Sequence, residues 1–310
     1  MIDGYSEEYN KALETALNNA RLIRAANSMV KVSGQRVILP LAGREIEIVY
    51  YSAPSQNAPL IIGFHGGGFL YGGCALDDTL WPEITRRLDV NVAAIGYRQS
   101  PSYTWRDSLA DSYESALYLA SHPEDFGFDP EHISVMGQSA GGNLALCVSL
   151  MAARDRSFRP DNQILVYPLL DLYTDPADKG WGTFSGIRTR VMNDLHCAEP
   201  DRKEPFASPF YATDEMLTGL PNTIMVFSEN DNLTKEGRIF EERLRLAGIN
   251  VSEIFNPGMP HGFLECGFKK RVSYIEKEFL GENCDELINK GALKEAAINT
   301  INFIKKEFIR

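Results

Sequence analysis

Two periods of apolar spacing follow one another at the start of the chain. Leu13, Ala16, Leu17, Ala20 and Ile23 recur at three- and four-residue intervals, which predicts a helix over 5–26. Residues 36–39 and 45–51 alternate instead and, with the turn LAGRE between them, predict two half-exposed antiparallel strands. From residue 60 onward the pattern becomes short, nearly continuous apolar runs at 60–64, 92–97, 133–136, 164–167 and 223–227, with a weaker one at 251–255. Such runs suit parallel strands covered on both faces. Helical spacing fills the intervals at about 78–88, 107–120, 140–154 and 234–247, and returns at 290–308. This alternation predicts an α/β fold: one domain over 1–310 with a mostly parallel eight-stranded sheet and helices on both faces.

Two stretches break the alternation. Residues 171–218 are long and rich in Pro, Gly and aromatics (Tyr173, Trp181, Phe184, Phe206, Phe210, Tyr211). Loops of that length in a compact domain usually carry function or small helices of their own. The segment is read as part of a lid, with the N-terminal region as its partner, so that about 1–35 and 171–218 form a helical cap; a plain surface insertion is the bland alternative. Residues 265–288 read as a second insertion.

Composition narrows the function classes. With 31 Lys and Arg against 42 Asp and Glu, the chain of 310 residues carries a net charge of −11, and no basic run offsets it. A polyanion is repelled by such a field, so nucleic acid is not an expected partner. Five widely spaced cysteines without a CxxC suggest neither a disulfide framework nor a zinc site. The opening MIDGYSEEYN lacks basic and apolar signal regions, and no apolar run approaches a membrane span. A cytoplasmic protein with no membrane partner is expected.

The chemistry starts at Gly137-Gln138-Ser139-Ala140-Gly141-Gly142, directly after the strand HISVM and before the helical stretch NLALCVSLMAARD. This is the G-x-S-x-G elbow, a strained strand-to-helix turn that presents a serine at the sheet's C-terminal edge. Glycines at 137 and 141 remove side chains that would clash where segments approach closely. A second signal, His65-Gly66-Gly67-Gly68-Phe69, follows the strand PLIIGF. Consecutive glycines let backbone N–H groups face a cavity, as the developing oxyanion of acyl transfer requires. A flexible glycine turn is the alternative, and a phosphate loop lacks its lysine.

A serine hydroxyl needs a base. Of the five histidines, His261 follows the last strand run in NPGMPHGF, where Gly and Pro indicate a shaped, exposed turn at the same sheet edge. His122 and His132 flank the elements leading to the elbow and read as surface residues. His196 falls in the lid, with solvated or structural roles favoured over substrate contact, and His65 reads as a support for the glycine loop. The acid should follow the strand TIMVF: Asp231 and Glu229 are both candidates, with Asp231 preferred. The resulting order, Ser139, Asp231, His261, is that of α/β-hydrolases.

These residues resemble the hormone-sensitive-lipase-like bacterial carboxylesterases, also called family IV esterases. The resemblance runs from about Leu60 to the C-terminus through HGGGF at 65–69, YR and SP within 97–101, FGFDPEHISVMGQSAGGNLA at 126–145, YP at 167–168, SPF at 208–210, D-x-L-x-x-E-G at 231–237 and HGF at 261–263. It implies the α/β-hydrolase fold with a helical cap. It further implies Ser139 as nucleophile, Asp231 as acid, His261 as base, and the backbone N–H groups of Gly67, Gly68 and Ala140 as the oxyanion hole. Three features depart from the family: Gln138 stands for the usual aspartate of GDSAGG, YRQSPS replaces YRLAPE, and 265–288 is longer than typical.

The expected activity is therefore serine carboxylesterase action on small, short-acyl esters through an acyl-enzyme, with no metal or organic cofactor. The short-acyl expectation rests on the absence of an extended apolar lid helix from the pattern. A small-molecule ester is the expected partner, and a homodimer is kept open. Two further readings are an amidase or formamidase of kynurenine-formamidase type, or a sugar acetyl esterase, on the same scaffold. The last is a catalytically inactive ligand-binding protein, against which the presence of His261 argues.

Overall fold

The computed structural model describes residues 6–273, 276–277, 280–281 and 284–308. Eight strands form one sheet in the order β1-β2-β4-β3-β5-β6-β7-β8. They are β1 (Gln35–Leu41), β2 (Arg44–Tyr51), β3 (Leu60–Phe64), β4 (Asn91–Ile95), β5 (Ile133–Gln138), β6 (Asn162–Val166), β7 (Asn222–Asn230) and β8 (Val251–Pro260). β1 pairs antiparallel with β2, and β2 with β4; every other pairing is parallel. Every residue of β3, β4, β5 and β6 is buried, which is why those strands read as unbroken apolar runs.

Helices cover both faces. One face carries α3 (Trp105–Ser121), α5 (Ala140–Asp155) and α8 (Thr234–Leu246), whose Leu109, Leu144, Phe240 and Leu244 join the core containing Phe64 and Val135. The other carries α2 (Trp81–Leu88) and the last long helix, α11 (Ala292–Phe308), whose Trp81, Ile84, Leu293 and Ile301 pack with Ile61, Val92 and Met136. Local signals set their ends. Pro82 lies in the first turn of α2, Asp89 closes it in the left-handed conformation, and Thr104 and Asp107 form a capping box on α3.

α1 (Glu7–Met29) and α6 (Thr183–His196) lie together over the sheet's C-terminal edge. Tyr9, Ala16 and Ala20 of α1 meet Val191 and Met192 of α6, and both helices rest on Leu70 and Tyr71 of the loop after β3. The segment 171–218, expected to carry function or small helices of its own, holds the 14-residue α6. Its apolar positions face α1, some 170 residues away in sequence, and a partner so distant leaves little trace in a local pattern. Further short helices are α4 (Pro123–Phe126), α7 (Asp214–Leu217), α9 (Phe263–Cys266) and α10 (Cys284–Asn289). Parts of two expected features, residues 1–5 of the cap and 274–275, 278–279 and 282–283 of the 265–288 insertion, lie outside the described residues. Among the described residues no helix is long and apolar enough to cross a membrane.

A buried ion pair ties the segment before α6 to the core. Lys179 Nζ lies 2.7 Å from Glu236 Oε2 on α8, and Glu236 Oε1 accepts the Leu170 N–H at 2.7 Å. Burial raises the Glu236 pKa, and the Lys179 ammonium opposes that shift. Removing one partner of such a pair leaves the other charge without compensation in a low-dielectric site. Lys179→Met should therefore cost about 3 kcal/mol in urea unfolding. Lys179 also lies 3.7 Å from the buried Asp171 carboxylate, so adding Glu236→Gln to Lys179→Met should recover only part of that loss.

Candidate active site

The site is built where β5 turns into α5. Ser139 occupies that corner with φ 55° and ψ −118°, a conformation that L-residues adopt only under constraint. The neighbouring glycines make the corner sterically feasible. A Cβ on Gly137 would fall 2.0 Å from the Gly141 carbonyl oxygen, and a Cβ on Gly141 would fall 2.0 Å from the Phe64 carbonyl oxygen at the end of β3. The turn therefore closes only with hydrogen at both positions. α5 begins at the next residue, so its positive end lies beneath the hydroxyl.

The structure brings His261 and Asp231 to that hydroxyl. β7 ends at Asn230, one residue before Asp231, and β8 ends at Pro260, one residue before His261. Asp231 Oδ2 lies 2.7 Å from His261 Nδ1, and His261 Nε2 lies 2.9 Å from Ser139 Oγ. A carboxylate can only accept, so Nδ1 carries the proton, and Nε2 is left to accept from the serine hydroxyl. Asp231 Oδ1 accepts the Leu233 N–H at 2.9 Å, which fixes the carboxylate's orientation. Glu229, the other sequence candidate, is exposed and accepts the Gly258 N–H at 2.7 Å. The expectation of an exposed turn before His261 needs correction. Residues 256–260 continue β8, with a register shift opposite 228–230, and His261 is half-buried.

The glycine loop faces the same point. Gly67 and Gly68 have φ of 112° and 60°, and their N–H groups have no backbone acceptor among the described residues. Ala140 supplies the first N–H of α5, one of the donors that a helix start leaves without an intrahelical partner. A Cβ on Gly67 would meet the Tyr71 carbonyl oxygen at 2.4 Å, and one on Gly68 would meet Met192 Sδ of α6 at 2.6 Å. The loop is therefore held from behind by its own backbone and from the other side by α6.

A family model described as the α/β-hydrolase fold matches residues 61–265. The chain belongs to the α/β-hydrolase family, in its hormone-sensitive-lipase-like branch. An arylesterase of Saccharolobus solfataricus is 29% identical over 235 residues, covering 73% of this chain and 75% of its own length. An ethyl acetate hydrolase of Pseudomonas putida is 26% identical over 225 residues, with 69% and 70% covered. Among solved structures, carboxyl esterase 2 of the fungus Tuber melanosporum superposes with a TM-score of 0.74 at 26% identity, over 90% of this chain and 87% of that one.

The remaining histidines of this hydrolase are separate from the serine. His65 is buried and stacks on Tyr97 at 4.2 Å between ring centroids, while the Tyr97 hydroxyl donates to the His65 carbonyl at 2.8 Å, consistent with a role in holding the glycine loop. His196 is buried rather than solvated. It stacks on Phe69 at 3.7 Å, its Nδ1 lies 3.1 Å from Ser100 Oγ, and burial pushes its pKa down to about 3, so it is a neutral fastener between α6 and the loop. His122 closes α3 with Nδ1 donating to the Tyr118 carbonyl, and His132 pairs with Asp161 at the surface.

The departures from the family pattern also have places in the structure. Gln99 of YRQSPS donates to the Tyr71 carbonyl at 2.5 Å, and Arg24 of α1 donates to the Ser100 carbonyl, so this segment ties α1 to the loop after β3. Gln138 is fully buried, and its side-chain amide has no hydrogen-bond partner among the described residues. Sequence reasoning did not single out Tyr167 or Glu265. Tyr167 leans on the His261 ring at 4.8 Å, and its hydroxyl donates to Glu265. YP at 167–168 and the glutamate four residues after His261 were the available signals. Among the described residues, no group of three or more His, Cys, Asp or Glu is arranged to hold a metal ion.

The elbow contact gives a direct stability test. Gly141→Ala forces a methyl against the Phe64 backbone and should cost about 3 kcal/mol by urea denaturation. Gly182→Ala, where a Cβ meets nothing closer than 3.7 Å, should stay within about 0.5 kcal/mol of wild type.

Proposed function

We propose that the protein is a serine carboxylesterase acting on small, short-acyl esters, with Ser139 as nucleophile, His261 as base and Asp231 as the acid that orients it. The observation that supports this reading most is the continuous hydrogen-bonded path from Asp231 through His261 to Ser139, 2.7 Å and 2.9 Å long at its two steps. The names of the two relatives, an arylesterase and an ethyl acetate hydrolase, point to the same bond class.

In this reading the ester carbonyl oxygen sits against the N–H groups of Gly67, Gly68 and Ala140. Ser139 Oγ attacks the carbonyl carbon while His261 Nε2 takes its proton. The resulting oxyanion is stabilised by donors already in place. Collapse of the intermediate expels the alcohol, which receives the proton from His261, and leaves an acyl-Ser139. Water then repeats the sequence and releases the acid. Asp231 remains ionised and favours the imidazolium formed at each step. The domain is read as one unit over 1–310, with about 1–35 and 171–218 as its cap. Met192 of that cap, pressed on Gly68, limits the room beside the acyl group and supports a short chain.

Ser139→Ala should lower kcat for p-nitrophenyl acetate by about ten-thousandfold or more, while the folded state persists by thermal unfolding. Undiminished turnover would refute the assignment.

The pH profile follows from the surroundings of His261. Burial lowers its pKa, but the Asp231 charge and hydrogen bond, with a smaller contribution from Glu265 and against Arg188, raise it above the ordinary 6.5. The base works when neutral, so kcat/KM should fall as the pH drops through that raised value, and the acid limb should lie above 6.5. Asp231→Asn removes the opposing charge; the limb should move to lower pH and kcat should fall by about ten-thousandfold.

A further inference from the structure

Ser139 and His261 form one side of a cavity of about 620 Å³ that runs from the glycine loop to Glu265, Lys269 and Glu276. Of the ionisable side chains on its other walls that the hydrolysis does not use, Asp77, Glu265 and Lys269 form one connected group. The Lys269 side chain is only 14% exposed, and its ammonium is held by Glu276 and lies 3.6 Å from Asp77 Oδ1. Burial works against that ammonium, and the two facing carboxylates outweigh it and keep it charged. Glu265 accepts the Tyr167 hydroxyl, which in turn accepts the Leu264 N–H at 3.3 Å. Burial, reinforced by Asp77, pushes the Glu265 pKa up. Ile23, Leu76 and Phe268 line the surface between these groups.

An aliphatic or aryl ester would use the apolar part of this lining and leave its ionisable groups unanswered, and placing such groups there is costly unless something is gained. The wall carries both signs. Asp77, beside Lys269, and Glu265, which accepts the Tyr167 hydroxyl and its own backbone N–H, each retain unused lone pairs, while Lys269 can donate. A substrate carboxylate would meet the two acids. A substrate cation would meet Lys269, with Lys270 and Arg271 further along the same cavity. A hydroxyl group both donates and accepts, so it can satisfy a carboxylate and an ammonium together. Apolar patches between polar anchors match the C–H faces of a hydroxylated ring or chain.

We propose that this cavity selects esters whose non-reacting part is a polyol or sugar, held by Asp77, Glu265 and Lys269. The assignment rests on the esterase reading and adds the substrate class to it.

The test compares acetate release from 6-O-acetylglucose, hexyl acetate and acetylcholine, which share the acyl group and differ in what the cavity must hold. Wild type should show kcat/KM for the sugar ester at least about tenfold above the other two, because a site built to bond hydroxyls discriminates against analogues lacking them. Glu265→Gln and Lys269→Met should each lower the ratio of sugar ester to hexyl acetate by about tenfold or more, chiefly through KM for the sugar ester. Glu265→Gln is close to isosteric and carries the test alone should Lys269→Met fail to fold. A preference of wild type for hexyl acetate or acetylcholine, or an unchanged ratio in Glu265→Gln, overturns the proposal. Absence of p-nitrophenyl acetate turnover in wild type marks a failure of the esterase reading itself. Turnover of p-nitrophenyl acetate without a sugar preference marks a failure of the substrate class alone.

Discussion

The constraint on which the rest depends is the contact between the first turn of α5 and the end of β3. Gly141 meets the Phe64 carbonyl so closely that only hydrogen fits between them. That single approach fixes two things together. It forces Ser139 into its strained φ of 55°, and it sets the glycine loop, which starts one residue after Phe64, beside the same serine. Gly66 belongs to the same arrangement, since a Cβ there would lie 3.5 Å from that of Ser139. Hydroxyl and N–H donors therefore share one origin, the corner between two parallel strands. The strain is maintained by a scaffold whose central strands are buried throughout, and a packed interior resists the relaxation that would otherwise release it.

What the amino-acid order revealed follows from where each signal is local. The strand over 60–64 was legible to the residue, because a strand covered on both faces must be apolar at every position. The elbow was legible because close backbone approach demands glycine, and glycine is visible in a sequence. Asp231 and His261 were legible as positions after strands. The geometry of β8 was not. Gly and Pro at 257, 258 and 260 suggest a turn, yet pairing with β7 carries the strand on to Pro260, and Gly258 with φ of 71° absorbs the irregularity in register. The helix over 183–196 was hidden for a related reason. Its Val191 and Met192 are buried by α1 and by the loop after β3, partners that no window around them contains.

The helices α1 and α6 show how distant segments come to bear on one loop. Asn27 of α1, Gln99 and Ser100 after β4, and Met192 and His196 of α6 all converge on 68–75, and Arg24 of α1 holds Ser100 in turn. None of these contacts adds much free energy by itself, because each exchanges a water hydrogen bond for a protein one or buries a modest apolar area. Their effect is geometric. Backbone N–H groups stabilise developing charge only if they are already oriented when the charge appears. A glycine loop is flexible by composition, and here the missing rigidity comes from the helices laid over it. His196 fits that role: a histidine depressed to about 3 stays neutral at ordinary pH and can stack and bond without bringing charge near the serine.

Charge near the serine is instead concentrated on the other side, and its distribution separates two tasks. Asp231 contacts the imidazole directly and is fixed by the Leu233 N–H, so its field acts on one proton. Glu265 reaches the same histidine only electrostatically, its Oε2 accepting from Tyr167 instead, and it shares its cavity with Asp77 and Lys269. A group that served the histidine alone would have no reason to lie in that cavity beside an ammonium. A group that served substrate alone would have no reason to join, through Tyr167, the ring that leans on the imidazole. On the proposed reading Glu265 does both, so occupation of the cavity by a hydroxylated group that bonds Glu265 would also alter the field at His261. Substrate recognition and base strength would then be coupled through one carboxyl group, at a distance where electrostatics acts but direct contact does not.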